Sequence, residues 1–522
     1  MRDKKKLLLV LIVIIAAFLR LHNLENLPPG LYPDEAMNGN NALEALTTAP
    51  PAGGFKVFYP ENNGREGLFI NIQALFVNFF GNEPWVLRLP GALFGILTVL
   101  GIYFLTRELF RENSQGEIIA LLSAFFLATS FWHINFSRIG FRAITAPFWL
   151  VWGLYFLLAA FRRAKEGRWP VFGAAFAGIF YGLGFHSYIA YRATPALILA
   201  VAAIHWIKNR TARRETAAVF AVFSLFAVLA ALPLLVYFFE HPADFFGRTG
   251  QVSVFASPTP LKDLALNAVK TAAMFNFVGD FNWRHNYAGR SALFWPVGAM
   301  FLIGVFLAVK AVIHEIKTTF GWGGSNFARY PLKFFESKTN VSSASLTALA
   351  WLGTAALPVV VSNEGLPHAL RAILMAPPAF ILAGMATGWL YQREAENVPR
   401  VFSPATQKAI VAGAWLIAFL LVAEVYVAYF WSWGKNPNTA GAFAKNYVEI
   451  GRELNALPKE RPKYVVVAAG GVEVRGVPMP SQTVMFVTDT FTPEKQKEKN
   501  IFYVFPQDKD KIPPGAFVAT IE

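Results

Sequence analysis

Residues 216–239 read TAAVFAVFSLFAVLAALPLLVYFF, a run in which no side chain is charged. The hydrocarbon core of a bilayer is about 30 Å thick, and a helix of about 20 mostly apolar residues crosses it. Working outward from this run, comparable stretches lie near 7–21, 85–106, 117–136, 144–161, 170–189, 193–208, 291–310, 344–361, 371–391 and 409–432, about eleven in all. The chain of 522 residues is 55% hydrophobic and only 15% charged, which leaves a soluble fold nowhere to place its apolar surface. The fold class read from this pattern is mainly α: a polytopic transmembrane helix bundle over 1–432, followed by a small extramembrane α/β domain over 433–522.

The first apolar run follows Lys4, Lys5 and Lys6 as a signal peptide would, but no small-residue cleavage site comes after it, so it reads as a first spanning helix. With that lysine-rich start inside, the inner loops fall near 107–111, 162–168, 208–214, 310–338 and 393–408. About 22 of the 47 Lys and Arg lie in the N-terminal tail and these loops, the bias that orients membrane proteins. The formal charge of +14 is thus mainly topological and does not point to nucleic acid. Cysteine is absent, which excludes disulfides and thiolate metal sites.

The same parity places the loop 22–84, the turn 137–143, the loop 240–290, the turn 362–370 and the tail after 433 outside. Within the first loop, 68–80 is apolar but too short to span and reads as an amphipathic helix lying in the interface. In the tail, Tyr464–Ala468, Val484–Val487 and Ile501–Phe505 read as strands. Gly470 and Gly471 lack the spacing of a phosphate loop, and no internal repeat is evident.

Chemistry-bearing residues collect on the outer side. Asp34 and Glu35 follow Pro33 at a helix start, where acids also serve simply to face the helix dipole. Arg65 and Glu66 precede the interfacial helix; Arg138 and Arg142 occupy the short turn; Tyr188 and Arg192 end another helix; Arg284 and His285 close the long loop; Glu364, His368 and Arg371 sit in the last turn. Charges at membrane depth are costly unless they line a cavity or pair. Several arginines with a few carboxylates suit an anion whose leaving is coupled to a base, and a phosphate-linked lipid fits: its tail stays in the bilayer while guanidinium groups hold its phosphate.

The order of these motifs resembles the GT-C superfamily of membrane glycosyltransferases, in particular glycosyltransferase family 39, which includes protein O-mannosyltransferases and the lipid A aminoarabinose transferase. The resemblance covers roughly residues 1–435. It rests on Asp34-Glu35, on Trp85-Val86-Leu87-Arg88-Leu89-Pro90 with Gly91 and Gly95, on His133 to Arg138, on Gly182 to Pro195, and on Pro367 to Arg371. It implies a GT-C fold and an inverting transfer of a monosaccharide from a polyprenyl-phosphate carrier to a protein, lipid or glycan acceptor at the outer face of the cytoplasmic membrane.

By position, Asp34 matches the family's essential acid, the general base, with Glu35 its neighbour and Glu66 in support. Arg138, Arg142, Arg192 and Arg371 are then the donor-phosphate ligands, and Arg65, Tyr188, Arg284, His285 and His368 the substrate pocket. Two departures mark a divergent branch: Arg142 stands where relatives often carry a second Asp, and 63–67 lacks a His-Pro-Pro element. The residues demand no cofactor, and a divalent cation, magnesium or manganese, stays open with its ligands unknown. Two other functions compete, an oligosaccharyltransferase or ligase moving a whole glycan, and a non-catalytic transporter or flippase of lipid-linked sugar.

Overall fold

In the computed structural model, which describes residues 2–47, 53–251, 253–320, 340–363, 365–401 and 403–522, eight helices are long and apolar enough to cross a bilayer, and nine if one bent pair counts as a single span. Ten of the eleven expected runs each fall mainly on one helical stretch, and the other, 117–136, is divided between two helices. The two beyond the nine are the helix Arg2–Leu21, which carries charged residues at both ends, and the short apolar helix Val171–Leu183, extended by a 3-10 turn. Most of the basic inner loop expected over 310–338 lies outside the described residues.

The run read as one span over 117–136 is broken. Gly116–Ala128 and Phe131–Ser137 meet at 61°, because Ser130 accepts from the His133 amide and starts a new helix. A helix end inside a membrane needs donors for its last carbonyls. Arg20 supplies them: its Nη1 donates to Ala128 O at 3.1 Å and its Nη2 to Leu127 O at 3.3 Å, while Nη2 also meets His133 Nδ1 at 2.8 Å. The first helix therefore fixes the break that turns 131–143 toward the outer loops.

Close backbone approach holds the neighbouring helices. Gly178 and Gly182 sit four apart on Val171–Leu183, and a Cβ on either would lie 2.3 Å from Phe223 O or 2.4 Å from Ala227 O of the helix Arg213–Glu240. With lipid tails as apolar as the side chains, such contact is what drives helices together in a membrane.

The loop region between the first two long helices stands on the helix Pro33–Thr47, a two-stranded hairpin pairing Phe58–Tyr59 with Arg65–Glu66, and the helix Gly67–Phe80, which bears out the expected short helix over 68–80. In the C-terminal region, the strand Lys463–Val467 lies between the parallel strands Ile501–Val504 and Phe517–Ile521. Val484–Val487, expected as a strand, instead belongs to the helix Gln482–Thr488, with Val484, Met485 and Phe486 all buried; a short apolar run enclosed on several sides has no period by which strand and helix can be told apart. This region packs on the outer face of Pro33–Thr47: Asn40 Nδ2 donates to Gln482 Oε1 at 2.9 Å, and Arg475 holds Glu44 at 2.8 and 2.9 Å.

Gly178→Val is expected to lower thermal stability in detergent by about 1–3 kcal/mol, the usual cost of overpacking, whereas Gly441→Val, where nothing lies near the added carbon, leaves it near wild type. Equal melting temperatures for the two variants would refute the close helix contact.

Candidate functional site

Asp34 and Glu35 are adjacent in sequence and are given opposite environments by the first turn of Pro33–Thr47. Glu35 is fully buried. Its Oε2 accepts from Arg88 Nε at 2.9 Å and from the Gly140 amide at 2.7 Å, and its Oε1 accepts from Arg88 Nη2 at 3.2 Å. Arg88 is equally buried and spends its other donors on Pro28 O at 2.6 Å and Gly30 O at 2.7 Å. A carboxylate so enclosed positions the backbone of three segments; it does not reach the cleft.

Asp34 does. It lines an open cleft of roughly 520 Å³ together with Asn62, Arg65, Arg142, Tyr188 and Leu370. Its Oδ1 accepts from Asn62 Nδ2 at 2.9 Å. Asn62 sits on the hairpin turn where Asn62, Asn63 and Gly64 all take positive φ, the residue types that tolerate that backbone.

Arg65 is buried and lies along an asparagine face of Pro33–Thr47, donating from Nη1 to Asn38 Oδ1 at 2.7 Å and from Nη2 to Asn41 Oδ1 at 2.5 Å. Burial, with Arg142 beside it, lowers its pKa to about 10, so it stays a cation at neutral pH. Glu66 is buried and bridges two further guanidinium groups: Arg142 Nε at 2.6 Å and Arg192 Nη2 at 4.0 Å. Arg142 also lies over the Tyr188 ring at 5.9 Å. Arg192 donates to Phe245 O at 3.0 Å and lies over the Phe238 and Phe245 rings. Three arginines and three carboxylates thus gather in and beside one cleft, counting Glu61, whose Oε2 lies 4.0 Å from Arg65 Nη2.

The other expected site residues are placed elsewhere. Arg138 is fully buried, donating to Leu27 O at 2.9 Å and Leu19 O at 3.3 Å and lying over the Tyr429 and Phe430 rings; its donors join the first helix and following loop to the 131–143 segment. Arg284 lies over the Tyr32 ring at 4.0 Å. Burial and the Asp34 carboxylate raise the Tyr32 phenol above its ordinary pKa, with Arg284 opposing them, so Arg284 flanks the cleft by way of Tyr32. His285 meets Asp280 Oδ2 through Nδ1 at 3.0 Å and its ring lies 4.9 Å from that of His368. Arg371, three residues beyond His368 and one beyond the cleft residue Leu370, bonds Ser362 Oγ. Glu364 lies outside the described residues. Asp280, His285 and His368 are a set that could hold a metal ion, their ligand atoms all within 4.8 Å of one another.

Sequence reading gave no role to Asn62, Arg88 or Asp280. The Asn-Asn-Gly run at 62–64 signals the hairpin that carries Asn62. Arg88 is quoted in the Trp85–Pro90 motif, yet only the fold shows that it reaches Glu35. Asp280 carries no local signal.

The geometry defines an integral membrane protein whose loops converge on a cleft holding one half-buried carboxylate, Asp34, among arginines. Residues 68–237 match the family model described as dolichyl-phosphate-mannose-protein mannosyltransferase. The whole fold is similar to that of ArnT from Cupriavidus metallidurans bound to undecaprenyl phosphate, with a TM-score of 0.51 at 14% identity over 98% of this chain and 89% of that one. The apo state of the same protein gives a TM-score of 0.50 at 13% identity over 95% of this chain and 89% of that one. No curated protein matches the sequence. The likeness over nearly the whole chain is thus one of fold, a GT-C-type transmembrane helix bundle with a small C-terminal region, and the family model covers about a third of it.

Removing one partner of a buried ion pair typically costs about 3–5 kcal/mol, while replacing both with apolar or neutral groups costs far less. Arg88→Met is therefore expected to lower the detergent melting temperature sharply, and the double variant Glu35→Gln/Arg88→Met to recover part of the loss. A double variant no better than Arg88→Met would contradict the pairing.

Proposed function

We propose that the protein is an inverting glycosyltransferase that moves a monosaccharide from a polyprenyl-phosphate carrier to an acceptor hydroxyl at the outer membrane face. The observation that carries this reading is the shared cleft of Asp34 and Arg142, one a half-buried carboxylate that lines the cleft and the other a guanidinium that keeps donors beyond its bond to Glu66. Asp34 accepts the proton of the acceptor hydroxyl as its oxygen bonds to the anomeric carbon. The bond from that carbon to the phosphate oxygen breaks on the opposite face, and the electron pair leaves with the polyprenyl phosphate. Asn62 holds the carboxylate in place by one hydrogen bond, leaving the other oxygen for the proton.

Arg142 takes the departing phosphate, with Arg65 and Arg192 adding positive potential and Arg371 nearby on the turn that carries Leu370. Preorganised donors of this kind are worth about 10²–10³ in rate each, and general-base assistance about 10²–10⁴. Arg138 acts in this reading through the fold and not through the phosphate. The undecaprenyl phosphate named with the ArnT structure supports a lipid-phosphate donor for this chain. Which sugar and which acceptor the cleft accepts are questions for the assay.

In proteoliposomes supplied with defined polyprenyl-phosphate sugars, Asp34→Asn is expected to lower kcat at least about 10²-fold with little change in donor KM, whereas Arg142→Ala weakens both. Mass spectrometry reads the transferred group. Full transfer by Asp34→Asn would remove the base, and a transferred mass of many sugars would replace the monosaccharide reading with a ligase.

A further inference from the structure

Beside the cleft, the loop 279–290 is folded on itself by hydrogen bonds that fix one side chain. Gly279 N donates to Gly289 O at 3.1 Å, Gly289 N to Asp280 O at 2.9 Å, and Asn286 Nδ2 to Asp280 O at 3.1 Å. The Asp280 carboxylate is oriented in turn: Oδ1 accepts from the Asn282 amide at 2.8 Å and Oδ2 from the Ala369 amide at 2.8 Å. It is buried, and among the described residues its only ion-pair partner is His285. A buried carboxylate with no arginine or lysine to balance it is an expensive arrangement unless another cation joins it.

We propose that Asp280, His285 and His368 bind one divalent transition-metal ion of the zinc class, which fastens the loop 279–290 to the turn 365–371. Two imidazoles and a carboxylate are a donor set suited to zinc. Bond lengths of about 2.0–2.1 Å put two ligands of a tetrahedral ion about 3.4 Å apart; His285 Nδ1 and Asp280 Oδ2 stand at 3.0 Å, and all three ligand atoms lie within 4.8 Å of one another. The His368 ring faces that of His285 at 4.9 Å between centroids, and its Nδ1 lies 3.4 Å from the Arg371 amide, so Nε2 is the nitrogen left to complete the set. The amides of Asn282 and Ala369 supply the outer support that metal-bound carboxylates usually have.

Three protein ligands leave a fourth position for water or a substrate oxygen. The ion would sit near the cleft, since Leu370 lines it two residues from His368, and Arg284, next to His285, lies over the ring of Tyr32, two residues from Asp34. The proposal does not depend on Asp34 acting as a base, and it is read by metal content and not by transfer.

The full-length protein in detergent, stripped with a chelator and then equilibrated with Zn²⁺ alone, is expected to retain one equivalent of zinc by elemental analysis. Zinc-edge X-ray absorption should show two imidazoles and oxygen, and His285→Gln/His368→Gln should lose the equivalent while eluting as the wild type does. Failure of the wild type to retain zinc, fewer than two imidazoles in its spectrum, or an undiminished equivalent in the folded double variant would each overturn the site and leave Asp280–His285 as a hydrogen-bonded pair only.

Discussion

The architecture around the cleft depends on the buried ion pair of Glu35 and Arg88. Its carboxylate ties the start of Pro33–Thr47 to the spanning helix Pro84–Leu109 and, through the Gly140 amide, to the turn that follows the broken helix. The guanidinium also takes the carbonyls of Pro28 and Gly30. Three segments far apart in sequence are thereby locked by two side chains that water does not reach. A pair so buried contributes little net energy on its own, but it makes every other arrangement of these segments leave a charge unpaired. Its consequence is positional: with Glu35 turned inward, Asp34 is turned toward the cleft.

Positive charge around that carboxylate is balanced, not neutralised. Glu66 spreads its charge over Arg142 and Arg192, and Arg65 meets the amide oxygens of Asn38 and Asn41 at hydrogen-bond distance with Glu61 farther off at 4.0 Å. Arg142 therefore keeps donors while its resting position is fixed, the kind of preorganisation that the proposed transfer asks of a group facing a leaving phosphate. Aromatic faces do similar work for Arg142, Arg192 and Arg284, which lie over Tyr188, Phe238 and Phe245, and Tyr32, where a guanidinium gains from the ring without giving up its hydrogen bonds.

The helices were legible in sequence because a membrane imposes one length and one composition on each crossing, as the run at 216–239 illustrates. The gathering of Asp34, Arg65, Glu66, Arg142, Tyr188 and Arg192 was legible too, since topology sends alternate loops to one face. What sequence could not divide was the labour among neighbours. Asp34 and Glu35 are equivalent acids on paper, and only the reach of Arg88 separates them. Arg138 and Arg142 look like two phosphate ligands until the break at Thr129–Ser130 turns the first into the protein. Asp280 was invisible because its meaning lies in Ala369 and His285, which the chain brings to it from different distances.

The most direct measurement is an electron cryomicroscopy structure of the Asp34→Asn protein with a polyprenyl phosphate bound. The phosphate should lie within hydrogen-bond reach of Arg142, with position 34 facing it across the space for a sugar and the isoprenoid chain leading to the bilayer. A phosphate held by other residues, with Arg142 closed on Glu66 and the cleft empty, would contradict a shared site for the base and the leaving group.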